Sequence, residues 1–157
     1  MSQNLTPKLP ALMGALLACC APAQSGSASQ PPPPSTASQP ALPSDVVGVT
    51  WQWISFTTPV EQVNVDARER YTIEFDPAGR VTVRADCNRG SASYSVAADR
   101  RITLGAMALT RAACPPGSLS DRFAREVGRA TSYFLRVGEL YLSLPVDSGT
   151  LRFERQG

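Results

Sequence analysis

The chain has 157 residues, with 15 basic side chains against 13 acidic ones and no histidine. Charge this balanced, with the arginines scattered among the carboxylates, shows no sign of the clustered basic surface that nucleic acid requires. The lack of histidine excludes Ser-His-Asp triads, Cys-His nucleophiles and histidine metal sites. Every basic residue after Lys8 is an arginine. Arginine suits anion binding, but the arginines are scattered among the carboxylates, and compositional bias explains them more simply.

The first twenty residues read as an export signal. After Lys8 an apolar run from Leu9 to Leu17 closes on Leu16-Leu17-Ala18-Cys19, the pattern of a lipobox. The run is shorter than the about 20 apolar residues of a spanning helix, so it is a signal rather than a permanent anchor. Cleavage before Cys19 makes that cysteine the first mature residue and the site of lipid attachment. Two or three acyl chains would make attachment effectively permanent, since a single chain is marginal at about 0.8 kcal/mol per buried methylene. The rival is an ordinary secretory signal cut after Ala21-Pro22-Ala23, which leaves a soluble secreted or periplasmic protein. Cys20, not aspartate, follows Cys19, and resemblance to Gram-negative lipoproteins then implies sorting to the outer membrane, facing the periplasm.

The segments expected are thus a signal over 1–18, a lipidated cysteine with its tether over 19–44, and one domain over 45–157. Ala21 to Ser44 is rich in Pro, Ser, Ala and Gln, carries no charge and includes the run Pro31 to Pro34. It reads as an extended tether with a reach of roughly 70 Å at about 3.1 Å per residue. The remainder has the size of a single domain with one modest core.

Period-two alternation predicts short strands through most of that domain. Thr50 to Phe56 is the first, with Trp51 and Trp53 on one face. Tyr71, Ile73 and Phe75 alternate with polar residues, Asp76-Pro77-Ala78-Gly79 turns the chain, and Val81, Val83 and Ala85 alternate back. Ser91 to Val96 and Ile102 to Met107 follow. After a helix come Ser132 to Val137, Glu139 to Pro145 and Thr150 to Glu154, with turns at Gly138 and Asp147-Ser148-Gly149. The helix spans Leu119 to about Ala130, with Leu119, Phe123, Val127 and Ala130 on one stripe. Ser118 and Asp121 have capping-box spacing, and Arg122, Arg125 and Arg129 form a solvated face. The fold class predicted is mainly β: an antiparallel, barrel-like sheet of about eight short strands, closed at an edge or end by the late helix. Trp51, Ile73, Phe75, Val83, Phe123, Leu142 and Phe153 should lie in its core.

Cys87 ends a strand and Cys114 precedes the helix, and in an exported domain two such cysteines most often pair. Two isolated cysteines fall short of a zinc site, so no metal and no cofactor are expected. The tetrad Cys87-Asn88-Arg89-Gly90 reads as a tight turn. Thr110 and Arg111 would sit beside it, with Arg111 open either to an anion or to Asp86. Glu74, Asp76 and Asp86 occupy ordinary solvent-facing places, so no catalytic residue is assigned.

Taken in order, Trp51-x-Trp53, the Tyr-x-Ile-x-Phe strand with its Asp-Pro-x-Gly turn, Cys87-Asn88-Arg89-Gly90 with Tyr94, Met107-x-x-Thr110-Arg111-x-x-Cys114-Pro115, the helix, Leu140-x-Leu142-x-Leu144 and Leu151-x-Phe153 resemble the META domain family (DUF306-type), which includes HslJ-like heat-inducible envelope proteins. The resemblance covers Val49 to Glu154. Asp86 replaces a glycine usual before the cysteine, Ala112-Ala113 replaces a Met-Ala pair, and the segment Thr57 to Arg70 is long and polar. The resemblance implies a small barrel-like β domain with one helix, found in envelope proteins and lipoproteins, without an established catalytic activity. Its shape resembles secretin pilot lipoproteins, a likeness of fold alone. The function expected is a monomeric, membrane-anchored envelope lipoprotein that supports envelope integrity or stress tolerance by binding or scaffolding. Its partner, an envelope protein or a lipid, is unassigned. The alternative is a module binding an acyl chain or a peptide, as pilot lipoproteins do.

Overall fold

A computed structural model describes residues 41–157. The signal, Cys19 and most of the tether lie outside the described residues. Ten strands and one helix follow in order: β1 Thr50–Thr57, β2 Gln62–Asn64, β3 Tyr71–Phe75, β4 Arg80–Ala85, β5 Asn88–Ala97, β6 Arg101–Leu104, β7 Ala108–Leu109, α1 Ser120–Gly128, β8 Ser132–Arg136, β9 Glu139–Ser143 and β10 Thr150–Arg155.

Eight of the strands hydrogen-bond in a closed antiparallel ring, β1-β3-β4-β5-β6-β8-β9-β10 and back to β1. The two short strands missed by alternation hang on this ring: β2 pairs with the end of β1, and β7 with the start of β5. The ring is weakest between β6 and β8, where Arg101 opposite Ser132 is the paired position, supported by Ile102 N–H on the Thr131 carbonyl at 3.0 Å.

Every residue predicted for the core is buried: Trp51, Ile73, Phe75, Val83, Phe123, Leu142 and Phe153 are all fully inaccessible. Alternation of apolar inward and polar outward positions is strict in β4, where Val81, Val83 and Ala85 are buried and Arg80, Thr82 and Arg84 exposed. Large side chains fill the barrel, so its interior is a packed core rather than a channel.

Each end of the barrel is covered. At the end where β1 finishes, Phe123 of α1 stacks on Trp53 with centroids 4.9 Å apart and meets Tyr71 and Phe153 edge-on or tilted. At the other end Leu42 and Val46 are buried, Trp51 Nε1 donates to the Val46 carbonyl at 3.1 Å, and Val47 bridges to Phe75. Leu42 therefore belongs to the packed unit and not to the tether. Among the described residues the core is one contiguous cluster from Leu42 to Phe153, of the size that lets a fragment 41–157 fold as a single domain.

Three local expectations change. The helix begins at Ser120 with Leu119 as its N-terminal cap residue and no side-chain cap, so Ser118 and Asp121 form no capping box. Ser118 Oγ instead accepts from Ser120 N–H at 3.2 Å. The arginine face is ion-paired rather than merely solvated: Arg122 holds Glu61 at 2.5 and 3.0 Å, and Arg125 and Arg129 bracket the buried Glu126. Finally, Asn88-Arg89-Gly90 starts a strand. The turn lies one step earlier, at Asp86-Cys87, because Ala85 pairs with Asn88.

Candidate functional site

The distinctive residues gather where α1 covers the barrel. The Sγ atoms of Cys87 and Cys114 are bonded, with Cα atoms 5.5 Å apart. The link ties the β4–β5 turn to the loop that runs from β7 to α1. Beside it stands the carboxamide of Asn88, buried. Its Oδ1 accepts from Ala112 N–H at 2.7 Å and from Thr110 Oγ1 at 3.0 Å. Its Nδ2 faces Ser120 Oγ at 3.1 Å, and the Ala112 carbonyl and Cys114 Sγ each at 3.3 Å. A carboxamide offers two N–H groups and two oxygen lone pairs, so Asn88 is saturated.

Backbone contacts extend the lock. Thr110 Oγ1 accepts from Arg89 N–H at 3.0 Å, and Thr110 N–H donates to the Arg89 carbonyl at 2.9 Å. Gly90 has to be glycine because β7 crosses so closely. A Cβ there would stand 2.3 Å from the Ala108 carbonyl oxygen and 2.9 Å from Leu109 Cα. The Cys-Asn-x-Gly and Thr-x-x-x-Cys elements are thus two halves of one clasp, with Asn88 as its centre.

Sequence reasoning placed these residues side by side but missed what Asn88 does. Its partners lie 22 to 32 residues away, beyond the reach of any local pattern. Arg111 is exposed and pairs with no carboxylate within 4 Å. Asp86 is taken by Arg70 instead, whose carbonyl also accepts the Asp86 N–H at 2.7 Å. At Asp86 φ is 59°, a left-handed backbone in which glycine is at ease. Its Oδ2 is buried without a partner, beside a cavity of about 190 Å³ lined in part by Arg70, Tyr71 and Ser118. Glu74 and Asp76 are engaged elsewhere: Glu74 accepts from Thr50 Oγ1, and Asp76 Oδ1 caps the turn by accepting from Ala78 and Arg80 N–H. The three carboxylates considered for catalysis do not converge.

A larger cleft of about 640 Å³ opens between the clasped loop and α1, lined by Met107, Leu109, Arg111, Ala113, Asp121 and Ala124 among others. Apolar side chains share it with one arginine and one aspartate. Among the described residues no cluster of three or more acidic or cysteine side chains is placed to hold a metal ion.

Two surface ion pairs lower their carboxyls. The Arg122 guanidinium holds the Glu61 carboxyl below its usual range, chiefly by hydrogen bonding and also by its charge. Arg152 does the same to Glu139. Burial, aided by the charge of Asp76, raises the Tyr94 hydroxyl.

The fold has solved counterparts. A protein from Burkholderia xenovorans superimposes with a TM-score of 0.57 at 20% identity, covering 81% of this chain and 97% of its own. A DUF4847 family protein from Bacteroides vulgatus gives 0.53 at 14% identity, covering 71% of this chain and 96% of its own. At such identities the likeness is one of fold. No curated protein matches the chain. The META domain family model matches residues 44–157, which contain the ring, the clasp and the covering helix. The chain belongs to the META domain family.

Proposed function

We propose that this protein is a lipid-anchored envelope component whose META domain works by binding or scaffolding rather than catalysis. In this reading Cys19 carries the lipid, the outer membrane holds it facing the periplasm, and the Pro-rich tether lets the domain reach other envelope components. Asn88 carries the non-catalytic reading. The most distinctive polar side chain of the chain is saturated by structural hydrogen bonds, and both cysteines beside it are bonded to each other. Residues so engaged hold the loop and have no free valence for chemistry.

The cleft beside α1 supports a second, compatible reading, a module for a peptide or an acyl chain. The barrel interior is filled, so such a ligand lies along Met107, Leu109 and Ala124 rather than inside the ring.

Both readings are tested in cells lacking the gene. Labelled palmitate should enter the wild type and not Cys19→Ala, and the unanchored form should restore stress tolerance poorly. Alanine at Glu74, Asp76 or Arg111 should each retain most of the rescue. Loss of rescue by one of them, with an unchanged melting temperature, would overturn the scaffold reading in favour of chemistry or a specific ligand at that residue. Lipid retained through purification by the wild type, and lost on Leu109→Asp, would select the acyl-chain form.

A further inference from the structure

The fold gathers arginines that the sequence scatters. On β4, Arg80, Thr82 and Arg84 share the outward phase; on β5, Arg89, Ser91 and Ser93 do. The two-residue turn at Asp86-Cys87 sets the register so that Arg84 stands directly opposite Arg89, and Thr82 opposite Ser91. Side chains so placed have Cβ atoms about 5 Å apart, and like charges in that position repel. Arg80 Nη1 donates to Ser91 Oγ at 3.0 Å, which leans its guanidinium along the face toward that pair. β3 adds Thr72 opposite Arg84. Two carboxylates border this face: Glu74 accepts from Thr50 Oγ1, and Asp76 Oδ1 accepts from Ala78 and Arg80 N–H; among the described residues none of the three arginine guanidinia has a carboxylate within 4 Å. Of the other arginines, Arg68, Arg70, Arg122, Arg125, Arg129 and Arg152 are paired with carboxylates, while Arg100, Arg101, Arg111, Arg136 and Arg155 are not; what sets Arg80, Arg84 and Arg89 apart is their shared outward face on paired strands.

We propose that the outer face of β3, β4 and β5, centred on Arg80, Arg84 and Arg89, docks on the phosphate headgroups of an anionic phospholipid surface. The face is open rather than enclosed, so a single free phosphate would gain little from it. A bilayer instead presents many phosphates in one plane, which meets all three guanidinia together. Arg80 and Arg84 lie about 13 Å apart along the strand, while Arg84 and Arg89 are adjacent across it, so the arginines sample neighbouring headgroups. The barrel would then lie on its side on the membrane. Because the chain is nearly neutral overall, the attraction belongs to this face and not to net charge. Each arginine near such a surface contributes about fivefold in partitioning, an effect that salt screens.

Residues 41–157, which lack Cys19, are mixed with phosphatidylcholine vesicles with or without phosphatidylglycerol, and sedimentation reads the bound fraction. Binding should require phosphatidylglycerol and fall with added salt. The triple variant Arg80→Gln, Arg84→Gln, Arg89→Gln should lose binding by tenfold or more while melting no lower than the wild type. A control removing the same charge elsewhere, Arg100→Gln, Arg101→Gln, Arg136→Gln, should lose less than threefold. Equal loss in the two triple variants would overturn the proposal, as would wild-type binding indifferent to phosphatidylglycerol. So would a face that answers inorganic phosphate in an NMR titration while ignoring the vesicles, since the site would then serve a small oxyanion.

Discussion

Replacing Asn88 by alanine tests whether the clasp is the structural centre of the domain. The substitution removes four well-formed hydrogen bonds, counting two N–H groups shared among three acceptors and two bonds to Oδ1. Each contributes about 1 kcal/mol net, and an orphaned buried partner such as Ala112 N–H costs about 1 to 3 kcal/mol more. Burial of the carboxamide itself is avoided in the variant, which offsets part of this. The expected loss is about 3 kcal/mol, or roughly 12 °C in melting temperature for a domain of this size. Removing the Cys87–Cys114 bond should cost roughly 3.5 kcal/mol by loop entropy. Both perturbations free the same loop, so their combination should fall short of the sum by about 1 kcal/mol or more. Urea denaturation of residues 41–157 as wild type, Asn88→Ala, Cys87→Ala with Cys114→Ala, and the combined variant measures all four corners. A loss below about 1 kcal/mol for Asn88→Ala, or strict additivity of the two changes, would refute the idea of one clasp.

Three further outcomes follow from the geometry. Phe123→Ala should cost on the order of 3 to 5 kcal/mol, because the ring fills the covered end of the barrel against Trp53, Tyr71 and Phe153; a cost under about 1 kcal/mol in chemical denaturation would make α1 a loose surface element. Val137→Asn should raise stability by about 1 kcal/mol in thermal melts, since Val137 is 93% exposed at φ 52° in a two-residue hairpin turn with Gly138, a turn that favours Asn-Gly. The Glu61 carboxyl is depressed in the folded state, so its pairing with Arg122 stabilises above the unfolded carboxylate value and is lost as pH falls through the folded one. Wild type should therefore exceed Glu61→Gln near neutrality, with the gap closing in acid, and a gap constant with pH would contradict the pairing.

Much of the ring was legible because several of its strands alternate strictly, whereas β1 breaks phase at a bulge between Trp53 and Ser55. In β3, β4, β9 and β10 the inward positions carry Ile73, Val83, Leu142 and Phe153 against polar neighbours, so the phase alone predicts the buried face. β2 and β7 were not legible, being three and two residues long, too short for a period to register. The helix stripe was clear and its start was not: Ser118 bonds Ser120 N–H locally, and the Leu119 N–H goes instead to Tyr71 Oη at 2.9 Å, a partner 48 residues away. Asn88 was read as a turn residue because Asn and Gly favour turns, whereas tertiary bonds and a close crossing strand account for both. The arginine face was within reach of sequence reasoning. Arg80-x-Thr82-x-Arg84 shares one phase, and a two-residue turn places Arg84 against Arg89, but the arginines were weighed as composition rather than by phase.

The clasp also bears on what family membership means here. Cys87, Asn88, Gly90, Thr110 and Cys114 carry the resemblance, and each is consumed in holding the loop to the barrel end. A saturated carboxamide cannot recognise a ligand without giving up a bond of the lock, and a glycine required by close packing presents nothing to recognise. Domains that share these residues therefore share a way of folding, while their ligands are set by positions the clasp leaves free. In this chain the exposed positions it leaves free include Arg111 at the mouth of the cleft, and Arg80, Arg84 and Arg89 on the outer wall. Asp86 illustrates the point from inside the lock: a glycine would satisfy its left-handed backbone, yet the aspartate recruits Arg70 and leaves one carboxylate oxygen unpartnered. Asp86→Gly relieves that backbone and the orphaned oxygen together, so it should leave the fold at least as stable as the wild type.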